Sequence, residues 1–276
     1  MVYIKHKTVN QSSNARLSEL LDAFSRGDIV EVDKIVPVLP KLANENPNLL
    51  LEHLDELLSL FFSKSSRATL HTYEAMSIML SSGVGADKIG EALIKRLNSE
   101  ELAPIELNNC RRLLERIRET NPQAISQLIP GLLNLAKKRY LTACEAFGTL
   151  LIHNPDEFEK NNIANELVGI AMNQQKPYNY LDFKACILRP LLEKHGKAPY
   201  DKIINQVIDS LVVEGKRLIM ANDSRATRVL DAFILIAESG VALQKEVLDL
   251  IEQARNSKNE DIHKYSEGLV IKPGVA

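Results

Sequence analysis

Apolar residues recur at helical spacing along almost the whole chain. The segment "NLLLEHLDELLSLFF" puts Leu50, Leu54, Leu57, Leu58 and Phe61 on one stripe. "ADKIGEALIKRL" does the same with Ile89, Ala92, Leu93 and Leu97. No segment alternates as a half-buried strand does, and no Asn-Gly or Asp-Gly pair marks a hairpin turn. The expected class is all-α. Leu, Ile, Ala and Val dominate the 45% hydrophobic residues, aromatics are 5%, and Trp is absent. The core is therefore expected to be aliphatic and built by good helix formers.

Three Asn-Pro pairs divide this pattern: Asn46-Pro47, Asn121-Pro122 and Asn154-Pro155. Asn is expected to cap the next helix. Pro then takes its first position, where a missing N–H costs nothing. The steps between pairs are 75 and 33 residues, close to two repeats and one. Such a period is the signature of stacked helix pairs. The expected pairs lie at 13–44, 48–82, 86–120, 123–153, 156–195, 198–239 and 241–270, between an N-terminal tail (1–12) and a C-terminal tail (271–276). No Ser- or Gly-rich linker interrupts 13–270, so a single α-solenoid domain of about six to seven helix pairs is expected.

A looser repeat runs through the second helices: acidic, then small, then bulky apolar. Its members are Glu74-Ala75-Met76, Glu145-Ala146-Phe147, Asp231-Ala232-Phe233 and Glu267-Gly268-Leu269. Lys184-Ala185-Cys186 occupies the same slot with the charge reversed. A small residue lets helices approach and the bulky one fills the space between layers, while the acidic residue is expected to face outward. "SRAT" at Ser66–Thr69 and Ser224–Thr227 supports the phase, with each Ser a natural N-cap. The verbatim "LDAF" at Leu21 and Leu230 does not fit a whole number of repeats and reads as coincidence.

The chain resembles the HEAT-repeat (armadillo-like) α-solenoid family. The resemblance is closest in "VLDLIEQARNSKNEDIHKYSEGLVI", where Ile262-His263 take the apolar-basic positions and Ser266 and Gly268 the small ones. Pro130 is similar to the proline that kinks the first HEAT helix. Pro37, Pro40 and Pro190 depart from the pattern. The resemblance implies a right-handed superhelix whose second helices line a concave face.

"GVGADKIG" has a GxG, but a helix precedes it where a dinucleotide loop needs a strand, so it reads as a turn. The six histidines are scattered, without HExxH or a nearby Cys partner. Cys110, Cys144 and Cys186 are odd in number, widely spaced and in apolar helical contexts, and read as reduced, buried thiols. No catalytic residue, metal ligand, cofactor or small-molecule substrate is expected. The start, "MVYIKHKTVNQSS", lacks the apolar core of a signal peptide, and no run approaches a membrane span. The expected location is cytoplasmic.

Net charge is −2, which argues against a protein built to coat nucleic acid. Locally, Arg111, Arg112, Arg116, Arg118, Lys137, Lys138 and Arg139 face only Glu115 and Glu119. This cluster is either a solvated face or a ridge for an acidic peptide or phosphates. Tyr178 and Tyr180, in "KPYNYLDF", are either exposed recognition residues or a buried cap. The expected function is a non-enzymatic scaffold or adaptor that binds a protein or acidic peptide. The partner-binding set is Arg67, Arg111, Arg112, Lys138, Arg139, Tyr178, Tyr180, Arg225 and Arg228. The alternative is a nucleic-acid-binding solenoid that resembles the HEAT-like alkylpurine DNA glycosylases. A third reading is a structural subunit that self-associates through one end.

Overall fold

The computed structural model describes the backbone of residues 3–99, 101–173 and 178–267, with side chains from residue 14 onward. Among the described residues every regular element is helical. The chain divides into two compact units, Met1–Gly131 and Leu132–Ala276. The sequence reading expected one domain over 13–270 because it found no linker. The boundary between the units falls inside a helix, Ile129–Lys138.

The first unit contains α1 (Tyr3–Ser25), α2 (Ile29–Ile35), α3 (Leu39–Glu45), α4 (Pro47–Glu52), α5 (Leu54–Phe61), α6 (Ser66–Ser81), α7 (Ala86–Leu97) and α8 (Pro104–Thr120). A 3-10 turn at Val36–Val38 holds Pro37, and a second covers Pro122–Leu128. Residues 1–12, expected as a tail, are helical from Tyr3, and no Gly or Pro interrupts α1. Helices α5 and α6 pair, as do α7 and α8. Between layers, α3 packs on α6 and α6 on α8, while α7 packs on the 122–128 turn.

Helix α9 (Ile129–Lys138) leads into the second unit: α10 (Tyr140–His153), α11 (Pro155–Lys160), α12 (Ile163–Asn173), α13 (Tyr178–Phe183), α14 (Arg189–Leu192), α15 (Tyr200–Met220), α16 (Ala226–Glu238), α17 (Lys245–Arg255) and α18 (Glu260–Glu267). A π-turn, Lys184–Leu188, joins α13 to α14. Here α12 pairs with α13, α15 with α16, and α17 with α18. Between layers, α12 packs on α15, α15 on α17, and α16 on α18. The repeated stacking is that of a generic α-helical repeat protein.

The Asn-Pro pairs form one recurring corner. Asn46, Asn121 and Asn154 have φ of −153°, −140° and −148° with ψ of 74°, 56° and 67°. Each backbone N–H closes the preceding helix on the carbonyl four residues back, at 2.7, 2.8 and 2.7 Å. The following Pro keeps its predecessor out of the α region and starts the next helix. Only Asn46 caps as expected, accepting from the Leu49 N–H at 3.3 Å. Asn121 instead donates through Nδ2 to the Leu80 carbonyl at 2.7 Å, tying the end of α8 to α6. Asn154 makes no side-chain cap bond to α11. Arg139, in the turn expected at Lys137–Arg139, adopts the same corner (φ −135°, ψ 68°) without a proline.

Ala75, Met76, Ala146, Phe147, Ala232 and Phe233 are all fully buried, as the triplet requires. The Lys184 member breaks the rule: Ala185 is exposed and Cys186 half-buried. The π-turn is the cause. It inserts a residue, with the Arg189 N–H reaching the Lys184 carbonyl five residues back, and so rotates the buried face onto Phe183, Ile187 and Leu188. Gly268-Leu269 of the last triplet and the expected tail 271–276 lie outside the described residues. In the HEAT-like segment, Ile262 and Ser266 are buried and His263 is half-buried. The first "SRAT" cap sits one residue early, with Ser65 accepting from the Ala68 N–H at 3.0 Å, whereas α16 has no side-chain cap and Asp223, before the second copy, accepts from the Arg225 N–H at 3.0 Å in the turn that precedes the helix.

Candidate functional site

A groove of about 610 Å³ opens in the first unit between the start of α6 and the start of α8. Phe62, Lys64, Leu70, Tyr73, Ile105 and Arg112 line it. Its turn is held locally. The Ser65 hydroxyl caps α6 and donates to the Asp33 carboxylate, and the Thr69 hydroxyl donates to the Phe61 carbonyl at 3.1 Å. Across the groove, Pro104 starts α8, and Glu106 accepts the Ala103 N–H at 3.1 Å.

Three interactions set the electrostatics. The Arg112 guanidinium lies 4.6 Å from the Tyr73 ring centroid. Arg96 stands 5.3 Å from the Phe62 ring and donates Nη2 to both oxygens of Glu106, each at 3.0 Å. Glu106 is thereby neutralised, whereas no ion pair is described for Lys64 or Arg112. Leu70 and Ile105 are 52% and 64% exposed on the groove's edge. A concave apolar surface with two cations at its rim can take up apolar side chains and attract a neighbouring carboxylate.

Only Arg112 of the expected partner-binding set lines this groove. Arg67 is exposed in the first turn of α6 and Arg111 is half-buried on α8. The basic cluster is divided by the unit boundary, with Arg111, Arg112, Arg116 and Arg118 in one unit and Lys137, Lys138 and Arg139 in the other. Arg116 is bound to Glu119 at 3.3 Å and to the Ser81 hydroxyl at 2.8 Å. Lys138 is exposed at the end of α9, and Arg139 forms the corner before α10. Tyr178 is 70% exposed.

The remaining three residues hold the second unit together. Tyr180 is only 6% exposed and donates its hydroxyl to Asp231, so the buried-cap alternative describes it. Arg225 bonds to Asp223 and to the Asn173 carbonyl, and Arg228 reaches the Ala171 carbonyl at 3.4 Å. These carbonyls end α12, where unsatisfied acceptors and the helix dipole favour a cation. The Arg225 guanidinium holds the Asp223 carboxyl down to about 2. A depressed carboxyl stabilises the fold above its unfolded pKa, near 3.9, and loses that contribution as pH falls through the folded value. Stability in urea is therefore expected to drop more steeply from pH 4 to pH 2 in the natural chain than in Asp223→Asn; equal slopes would contradict the pairing.

The sequence reading missed Phe62, Lys64, Leu70, Tyr73 and Ile105. A usable signal existed. Ile105 falls off the buried stripe of Cys110, Leu113, Leu114 and Ile117, and Leu70 falls off that of Ala68, Thr72, Ala75 and Met76.

Cys110 and Cys144 are buried thiols, but Cys186 is half-buried because of the π-turn. Burial pushes the Cys144 thiol well above its ordinary range, helped by its hydrogen bond to Cys186. Among the described residues, no three His, Cys, Asp or Glu side chains gather as a metal site requires. No described helix is long and apolar enough to cross a membrane. No protein-family model matches the chain, and no curated protein matches it significantly.

Proposed function

We propose that the protein is a non-enzymatic helical-repeat scaffold that binds a partner protein or an acidic peptide, and that the α6–α8 groove is a contact point. A HEAT/ARM-like right-handed solenoid of about six to seven helix pairs, located in the cytoplasm, belongs to the same proposal. The observation that carries it is the groove edge itself. Exposed Leu70 and Ile105 line it together with Arg112, whose guanidinium stands over the Tyr73 ring. Monomeric proteins rarely leave apolar side chains gathered beside a groove unless something docks there, and Arg and Tyr are enriched where binding energy concentrates. Nothing comparable supports the nucleic-acid reading, since the described contacts occupy Arg116, Arg225 and Arg228 within the fold.

The test combines Ile105→Asp with Arg112→Glu. Both side chains are exposed, so the helical circular-dichroism signal should not change. Capture of the partner, read by photo-crosslinking from position 70, is expected to fall at least about tenfold, the loss of one well-placed anchor. Undiminished crosslinking with both substitutions in place would refute the groove as the contact.

A further inference from the structure

The groove has a neighbour. A second cavity of about 170 Å³ is lined by Phe24, Ile29, Val32, Ser63 and Lys64. Ser63 and Lys64 line both cavities, so Lys64 stands at their junction. The large apolar residues described as exposed in the first unit are Ile29 (56%), Val30 (68%), Leu70 (52%) and Ile105 (64%). Ile29 lines the small cavity and Val30 follows it, while Leu70 and Ile105 line the large one. The exposed apolar surface of this unit is thus concentrated along one trough. The Ser63 hydroxyl, between the cavities, is buried without a hydrogen-bond partner.

We infer that this trough binds a protein segment with two apolar anchors separated by an acidic residue, one anchor in each cavity and the carboxylate on Lys64. This rests on the protein-binding reading above and adds the second cavity and the chemistry of the occupant. Charge complementarity selects the occupant. Lys64 and Arg112 are the lining cations without a described ion pair, and the lining acid, Glu106, is already neutralised by Arg96. Two separate concavities suit discrete side chains better than the plane of a lipid surface. A carboxylate at the junction would lie beside the Lys64 ammonium.

The experiment pans a phage-displayed random dodecapeptide library on the full chain, then measures selected peptides by fluorescence anisotropy. The inference expects enriched peptides with two apolar positions around an Asp or Glu. Ile29→Asp and Ile105→Asp should each weaken them at least about tenfold, and Lys64→Glu should select against the central acid. Melting curves are the check that these exposed substitutions leave the fold intact. Loss with Ile105→Asp but not with Ile29→Asp overturns the two-cavity inference and leaves the groove reading standing. No enrichment overturns both. Binding to phosphatidylserine vesicles or duplex DNA that depends on Ile29 and Lys64, without peptide enrichment, overturns the inference in favour of those ligands.

Discussion

Replacing Gly148 with alanine is expected to destabilise the second unit by about 2–3 kcal/mol, a large effect for one methyl group. A Cβ at this position would lie 2.6 Å from the Cys186 carbonyl oxygen. That oxygen is backbone, so it cannot swing aside as a side chain can. The close approach has a local cause. Cys186 sits in the π-turn, and Pro190 has no N–H to offer the Cys186 carbonyl four residues earlier. Helix α10 is thereby drawn against an exposed stretch of backbone that only glycine fits. The control is Gly169→Ala in α12, where a Cβ would meet nothing within 4 Å. It should gain about 0.5–1 kcal/mol through helix propensity alone. Urea unfolding of both variants tests the pair. A Gly148→Ala midpoint at or above that of Gly169→Ala would refute the close-packing account.

Asp231→Ala is expected to cost about 2–4 kcal/mol, because one carboxylate serves three partners. Lys184 donates to its Oδ2 at 2.7 Å, Tyr180 donates to the same oxygen, and Tyr265 donates to Oδ1 at 3.2 Å. The lysine and aspartate side chains are 22% and 30% exposed, so truncation leaves a half-buried ammonium and a buried hydroxyl unsatisfied. Tyr265→Phe, which removes the most exposed of the three bonds, should cost only about 0.5–1 kcal/mol. Burial, the largest single influence on Asp231, pushes its carboxyl up. Lys184 and the two tyrosines together outweigh burial and hold it below the ordinary value. The hub therefore stabilises fully above about pH 4 and weakens as pH falls through the lowered value. Burial and the Asp231 charge push Tyr265 up to about 12, so it remains a donor across that range. Urea titrations at pH 7 and pH 3 check both statements. An Asp231→Ala penalty as large at pH 3 as at pH 7 would contradict the role of the charge.

This hub also explains a sequence anomaly. In the triplet repeat, Lys184 replaces an acid, and the acidic residue was expected to face outward. Asp231 instead faces the neighbouring layer, and the reversed charge at Lys184 is its partner. The identity of the two residues was legible in the sequence. Their pairing was not, because 47 residues separate them and only layer stacking brings them together.

The two copies of "SRAT" teach the same lesson. Arg67 and Arg225 hold equivalent places, yet Arg67 is exposed and Arg225 is tied to Asp223 and the end of α12. The residue before each copy differs, Ser65 in one and Asp223 in the other, and only Asp223 offers a carboxylate to the guanidinium. Charge counting treated the two arginines alike. Likewise, Tyr178 and Tyr180 are two residues apart, but one is exposed and the other is buried against Asp231.

The sequence by itself determined the helical class, the positions of most helices and the recurring corners. These follow from local physics: apolar periodicity, the restriction that proline places on its predecessor, and the preference of small residues for tight packing. Only the tertiary structure decided where the chain divides, which cations remain outside ion pairs, and that Lys64, Tyr73 and Ile105 share one groove. Those features depend on which faces of distant helices meet. Side chains with the same local sequence acquire different neighbours when layers stack, and neighbours decide whether a charge is structural or open to a partner.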